Sequence, residues 1–127
     1  MSAIQETLPP ALLVALGAAV GAPLRYLVDR LVQSRYGTLF PWGTLTVNVA
    51  GSAVLGFLVG LAASPGVMAL AGTGFCGALT TWSTLGYETV RLAEEGFRLR
   101  AVVNVVLSVV AGLGAAAAGA ALAITIG

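Results

Sequence analysis

The chain has 127 residues, 58% of them hydrophobic and 9% charged, with a mean hydropathy of +0.98. A soluble domain carries about 25% charged residues, so this composition excludes one; the absence of lysine at a net charge of +1 also argues against nucleic-acid binding, and the absence of histidine excludes imidazole relays and His-ligated metals. The composition predicts an all-α membrane protein, a single domain over residues 1–127 embedded in the lipid bilayer. The lone Cys76 forms no intrachain disulfide.

Residues 1–7 contain Glu6 and no basic side chain, which does not suit a secretory signal, so the first apolar segment is read as a retained helix. A membrane helix needs about 20 largely apolar residues, and four stretches qualify. The first covers residues 10–32, opened by Pro9-Pro10. Its second half carries Arg25, Asp29 and Arg30 and is expected near water. The second covers residues 44–63 without a charge and is expected to stop at a Ser64-Pro65-Gly66 turn. The third covers residues 67–95, with Gly72, Gly74 and Gly77 ahead of a polar run. The fourth covers residues 99–126 and is free of charge after Arg100. Short connections predict that sequence neighbours pack together. Gly17 and Gly21, Gly56 and Gly60, and the Ala-Gly tract at 111–121 are spaced for close helix contact.

Four spans place both chain ends and the 64–66 turn on one side of the bilayer. All six arginines (Arg25, Arg30, Arg35, Arg91, Arg98 and Arg100) fall on or toward the other. Discounting Arg25 and Arg91, which can lie inside helix ends, leaves four against none. Positive loops stay in the cytoplasm, so both termini are predicted outside the cell membrane.

No charge occurs between Tyr36 and Tyr87, yet Thr80-Thr81-Trp82-Ser83-Thr84 puts four hydroxyls and an indole at membrane depth. An uncharged polar cluster suits a path for a small ion, because charged groups would hold the ion too tightly or cost too much in hydrocarbon. Helical spacing makes stripes of Thr44, Asn48 and Ser52, of Asn104, Ser108 and Gly112, and of Thr80 or Thr81 with Thr84 and Glu88. A hydroxyl can instead bond back to its own helix. Asn48 cannot be satisfied that way and belongs in a pore or polar interface. Glycine costs about 1 kcal/mol each relative to alanine in a helix, so the glycines ahead of the β-branched Thr80 and Thr81 predict a break near residues 74–81, where freed carbonyls can hold a cation. Asp29 with Arg25, and Glu88 with Arg91, are expected as helix-end ion pairs. No nucleophile–base pair, metal-ligand cluster or phosphate loop occurs, which speaks against an enzyme. A small proton-coupled multidrug exporter would need an acid inside the first helix, and residues 7–24 hold none.

Trp42-Gly43-Thr44-Leu45-Thr46-Val47-Asn48, followed by Gly74-Phe75-Cys76-Gly77-Ala78-Leu79-Thr80-Thr81-Trp82-Ser83-Thr84, resembles the Fluc (CrcB) fluoride channels. Arg25 after Gly21, and Glu88-Thr89, also match, so the resemblance runs from the first helix to the fourth. It implies four-helix subunits that assemble as antiparallel dimers, with two pathways that let fluoride leave the cell passively. It further implies a broken third helix whose carbonyls, here those of Gly77 and Thr80, hold a structural sodium ion that is not transported. The implied fluoride pathway comprises Asn48, Trp82, Ser83, Thr84, Leu85, Asn104 and Ser108.

Three positions depart from the family pattern. Trp82 and Leu85 stand where two phenylalanines are common, and Asn104 where a tyrosine is common. A ring edge is electropositive and leucine has none, so one anion contact is lost at Leu85. The dimer is either a homodimer or a heterodimer with an oppositely oriented paralogue, and the arginine bias fits the second. In such a pair this chain could also be a poorly conducting scaffold subunit.

Overall fold

The computed structural model describes residues 8–37, 40–81 and 83–126. All regular structure among them is helical: α1 (Pro10–Tyr36), α2 (Trp42–Gly60), α3 (residues 65–79), α4 (Ser83–Glu94) and α5 (Arg98–Ile126). Helices α1, α2 and α5 are long and apolar enough to cross a membrane. The third crossing is split between α3 and α4, because Thr80 is extended at φ −83° and ψ 161°. The expected four spans with a broken third are therefore present. The break falls at the C-terminal edge of the predicted window, and the glycines before it stay helical. They accommodate a change of winding instead: Met68–Cys76 forms a π-helix between α-helical turns. Gly72 and Gly74 carry no side chain to crowd the wider turn.

Helix ends follow from local chemistry. The Pro9 carbonyl accepts from the Leu12 and Leu13 N–H groups at 3.0 and 3.2 Å, starting α1. Helix α1 continues past residue 32 to Gly37, whose φ of 80° ends it while its N–H bonds to the Gln33 carbonyl. The expected turn at Ser64-Pro65-Gly66 is instead the start of α3. The Ser64 hydroxyl accepts from the Val67 N–H at 3.4 Å, and Pro65 occupies the first turn, where its missing N–H costs nothing. Helix α2 is closed earlier, by Ala62 at φ 54°, with Ala63 N–H reaching back to the Leu58 carbonyl at 3.2 Å. A left-handed conformation favours glycine. Ala62→Gly is thus expected to stabilise the protein by about 1 kcal/mol, seen as a raised unfolding temperature; an unchanged or lowered one would contradict the strain assigned to Ala62.

Packing corrects the expectation that sequence neighbours dominate. The most extensive contacts are α1 with α3 and α2 with α5. Glycine placement decides this. A Cβ on Gly17 would lie 2.7 Å from the Phe75 nitrogen, and one on Gly21 would lie 2.5 Å from the Phe75 carbonyl oxygen. On the other pair, a Cβ on Gly56 would lie 2.7 Å from the Ala116 carbonyl carbon, and one on Gly119 would lie 2.9 Å from the Phe57 nitrogen. Backbone lies on backbone at both seams, which is how membrane helices gain dispersion contact when lipid is as apolar as their side chains. Large apolar residues such as Leu31, Val59 and Val110 point outward, as expected of surfaces that meet lipid. On α4 the buried residues are Leu85, Glu88 and Leu92, one face of a helix turned toward α5.

Candidate functional site

The polar stripes of α2 and of the third crossing meet rung by rung. The Thr44 hydroxyl donates to Glu88 Oε1 at 2.6 Å in a buried contact. One turn along α2, Asn48 takes hold of the break itself. Its Oδ1 accepts from the Thr81 N–H at 2.7 Å, and its Nδ2 donates to the Thr81 carbonyl at 3.1 Å. A further turn along, Ser52 faces α5, where a Cβ on Gly112 would lie 3.6 Å from Ser52 Oγ. On α5, Asn104 Nδ2 donates to the Thr89 hydroxyl at 2.9 Å.

The break is organised by its own hydroxyls as well. The Thr81 Oγ1 accepts from the Thr84 N–H at 3.1 Å, capping the start of α4. Thr80 directs both its N–H and its hydroxyl to the Cys76 carbonyl, at 3.0 and 2.9 Å. In an unbroken helix the Thr81 N–H would bond the Gly77 carbonyl and the Thr84 N–H would bond the Thr80 carbonyl. Asn48 and the Thr81 hydroxyl divert both donors. The two carbonyls expected to hold a cation are therefore the two whose usual donors go elsewhere. No cluster of three or more acidic, Cys or His side chains that could hold a metal occurs among the described residues. Neutral carbonyl oxygens at a helix break suit an alkali cation.

Two cavities flank this clamp. A groove of about 330 Å³ is lined by Asn48, Ser52, Gly77, Thr80, Leu85 and Ser108, with apolar residues of α5 completing it. A smaller one of about 170 Å³ is lined by Arg25, Asp29, Thr44, Thr81 and Thr84. Asn48 belongs to the first and its partner Thr81 to the second. The structure thus gathers Asn48, Leu85 and Ser108 with Gly77 and Thr80, and puts Thr84 across the clamp from them. Asn104 is buried one turn from Ser108 without lining the groove. Ser83 is exposed and lines neither cavity, and Trp82 lies outside the described residues. The Ser108 hydroxyl and Asn104 Oδ1 are buried with no hydrogen-bond partner among the described residues. A hydroxyl can donate to an anion, and an amide oxygen cannot.

The expected ion pairs are replaced. Glu88 is buried and bonded to Thr44, while Arg91 lies 4.0 Å from Glu95. Asp29 accepts from Gln33 Nε2 with both oxygens at 3.1 Å and packs over Gly43, where a Cβ would fall 2.9 Å from the Asp29 Cα. The reason for the first change is helical phase: Glu88 follows Leu85 by three residues on the buried face of α4, and Arg91 lies at its edge. Thr81 as the backbone partner of Asn48 was the other feature missed, since a side-chain-to-backbone bond across two helices leaves no periodic trace. Back-bonding does account for other hydroxyls: Thr46 donates to the Trp42 carbonyl, Thr89 to Leu85 and Thr125 to Ala121, each at 2.8 Å.

Residues 12–120 match the family described as CrcB-like protein, Camphor Resistance (CrcB). A Frankia casuarinae protein named fluoride-specific ion channel FluC 1 is 60% identical over 121 residues, 88% of this chain and 94% of its own. A Streptomyces avermitilis protein of the same name is 58% identical, covering 85% of this chain and 90% of its own. A Mycobacterium tuberculosis protein named fluoride-specific ion channel FluC 2 is 53% identical, with 84% of each chain covered.

Proposed function

Because the chain belongs to the CrcB family, we propose that it is a subunit of a fluoride-specific ion channel in the cell membrane, through which fluoride leaves the cytoplasm passively. The observation that carries this reading is the uncharged groove, apolar over most of its lining with Asn48, Ser52, Thr80 and Ser108 as its polar side chains, beside a helix break clamped by Asn48. Fluoride is small and strongly hydrated. Its path must replace water with hydrogen-bond donors and must not trap the ion. The Ser108 hydroxyl, without a partner among the described residues, and the second N–H of Asn48 Nδ2 are such donors on the groove, and Thr84 is one beyond the clamp. Trp82 and Ser83 belong to the same proposed pathway, as does Asn104 through its position one turn from Ser108.

The Gly77 and Thr80 carbonyls would hold a structural sodium ion, which supplies a fixed positive charge beside an anion path and needs no acidic ligand. The diversion of their donors supports this. Gly77 is exposed on the single chain, and its carbonyl, deprived of its usual donor, would be costly to leave facing lipid. An oppositely oriented second subunit, a copy or a paralogue, would cover it. The arginine bias favours a paralogue and both termini outside, and relatives named FluC 1 and FluC 2 agree with a two-gene arrangement.

Fluoride efflux from liposomes tests the reading, with this protein alone and then with its oppositely oriented paralogue. Efflux well above that of empty liposomes is expected in at least one case, and no flux in either overturns the proposal. Leu85, buried and apolar on the groove, favours a second reading in which this chain is a scaffold and the paralogue carries the conducting pore.

A further inference from the structure

We infer that Asn48 is a positioning residue for the cation site, acting through Thr81 and independently of its place on the anion path. This rests on the sodium reading above. Asn48 is the sole side chain among the described residues that bonds both the N–H and the carbonyl of a residue at the break. By accepting the Thr81 N–H at 2.7 Å, it takes the donor that a continuous helix would give to the Gly77 carbonyl. By donating to the Thr81 carbonyl at 3.1 Å, it fixes the orientation of the following peptide. Asn48 does not itself touch the Gly77 oxygen in any hydrogen bond, so its effect on a cation is indirect.

Holding both backbone groups takes an amide at this position, whereas keeping the Thr81 N–H from Gly77, on which the cation site depends, takes only an acceptor within reach. A hydroxyl is too short to bridge both backbone groups, and a carboxylate accepts from the N–H but cannot donate to the carbonyl. Without the clamp, the Thr81 N–H is free to return to Gly77, the helix closes through the break, and one cation ligand is lost to an ordinary ladder bond. Gly51 on the same helix face supports the arrangement from behind: its missing side chain leaves the space that the Thr80 methyl group fills. Both residues of α2 therefore shape the break, Gly51 by vacating volume and Asn48 by redirecting a hydrogen bond.

The test is thermal unfolding of the assembled, detergent-purified protein against NaCl concentration, with N-methylglucamine chloride holding ionic strength constant. Wild type should be stabilised by sodium with a measurable midpoint. Asn48→Ala should raise that midpoint about tenfold or more, the scale of one lost hydrogen bond. Asn48→Asp keeps the acceptor and should hold the midpoint at or below the wild-type value. Ser52→Ala, on the same groove without a bond to the break, should leave it unchanged. If Asn48→Ala does not fold, Asn48→Ser carries the same expectation. If neither folds, Asn48→Asp still decides, because a tenfold rise with the acceptor in place overturns the inference. An unchanged midpoint in Asn48→Ala overturns it, as does an equal shift in Ser52→Ala, which would mark general loosening of the groove. A wild type indifferent to sodium removes the sodium reading and this inference together; the efflux measurement then separately decides whether the channel reading stands.

Discussion

Gly17→Ala is expected to cost about 3 kcal/mol or more, at or above the upper end of ordinary overpacking, and to leave little folded protein after extraction. The added methyl has nowhere to go. It would meet the Leu70 carbonyl oxygen, the Phe75 nitrogen at 2.7 Å and the Gly74 Cα at 3.0 Å. All three are backbone atoms and cannot swing aside as a flexible side chain would. Relief requires α1 to back away from α3, loosening the most extensive contact α3 makes and shifting the segment that leads into the break. Gly114→Ala is the matched control. Gly114 also lies in a helix, but a Cβ there meets nothing within 4 Å, so helix propensity alone predicts a gain of up to about 1 kcal/mol. Size-exclusion profiles and unfolding temperatures of the two variants check both signs. Equal stability of the two would show that the α1–α3 seam is looser than described.

Thr44→Val is expected to destabilise the protein by about 3 kcal/mol, because it strands a buried carboxyl without its donor. Glu88→Gln should cost less than about 1 kcal/mol, since the amide oxygen can still accept from the Thr44 hydroxyl at the position now 2.6 Å away. Thr44→Val combined with Glu88→Leu should recover most of the loss, because two apolar groups of similar shape leave nothing unpaired. Glu88→Leu alone completes the cycle, which is read from unfolding temperatures. Additive single effects, with no recovery in the pair, would mean that the bond contributes little and that Glu88 is held by something else. The contact joins α2 to α4, the half of the third crossing beyond the break, so its loss should also lower fluoride efflux where the protein conducts.

Much of the architecture was legible in the chain because the bilayer reads composition. Apolar stretches of membrane-spanning length, with the arginines gathered toward one side, specify crossings whatever their partners. The weak point in the third crossing was visible too, since glycines followed by β-branched threonines disfavour a continuous helix. Helix ends were less legible. Ser64-Pro65-Gly66 can end one helix or begin the next, and only Ala62 in the left-handed region shows which occurred. The glycine pairs Gly17/Gly21 and Gly56/Gly60 announced close contact without naming a partner, so α1–α3 and α2–α5 seams could not be told from neighbour packing.

The sequence by itself determined a four-crossing helical membrane protein with an uncharged polar run in its third crossing, because hydropathy, charge placement and helix propensity act along the chain. Only the tertiary structure decided which polar groups meet. Glu88 was taken from Arg91 and given to Thr44, and Asn48 was given to the Thr81 backbone. Those choices depend on the rotation of each helix and on how near a glycine lets two backbones come, quantities that arise only when the helices pack. The clamp at the break is their joint product: a side chain on one crossing releases the carbonyl of another.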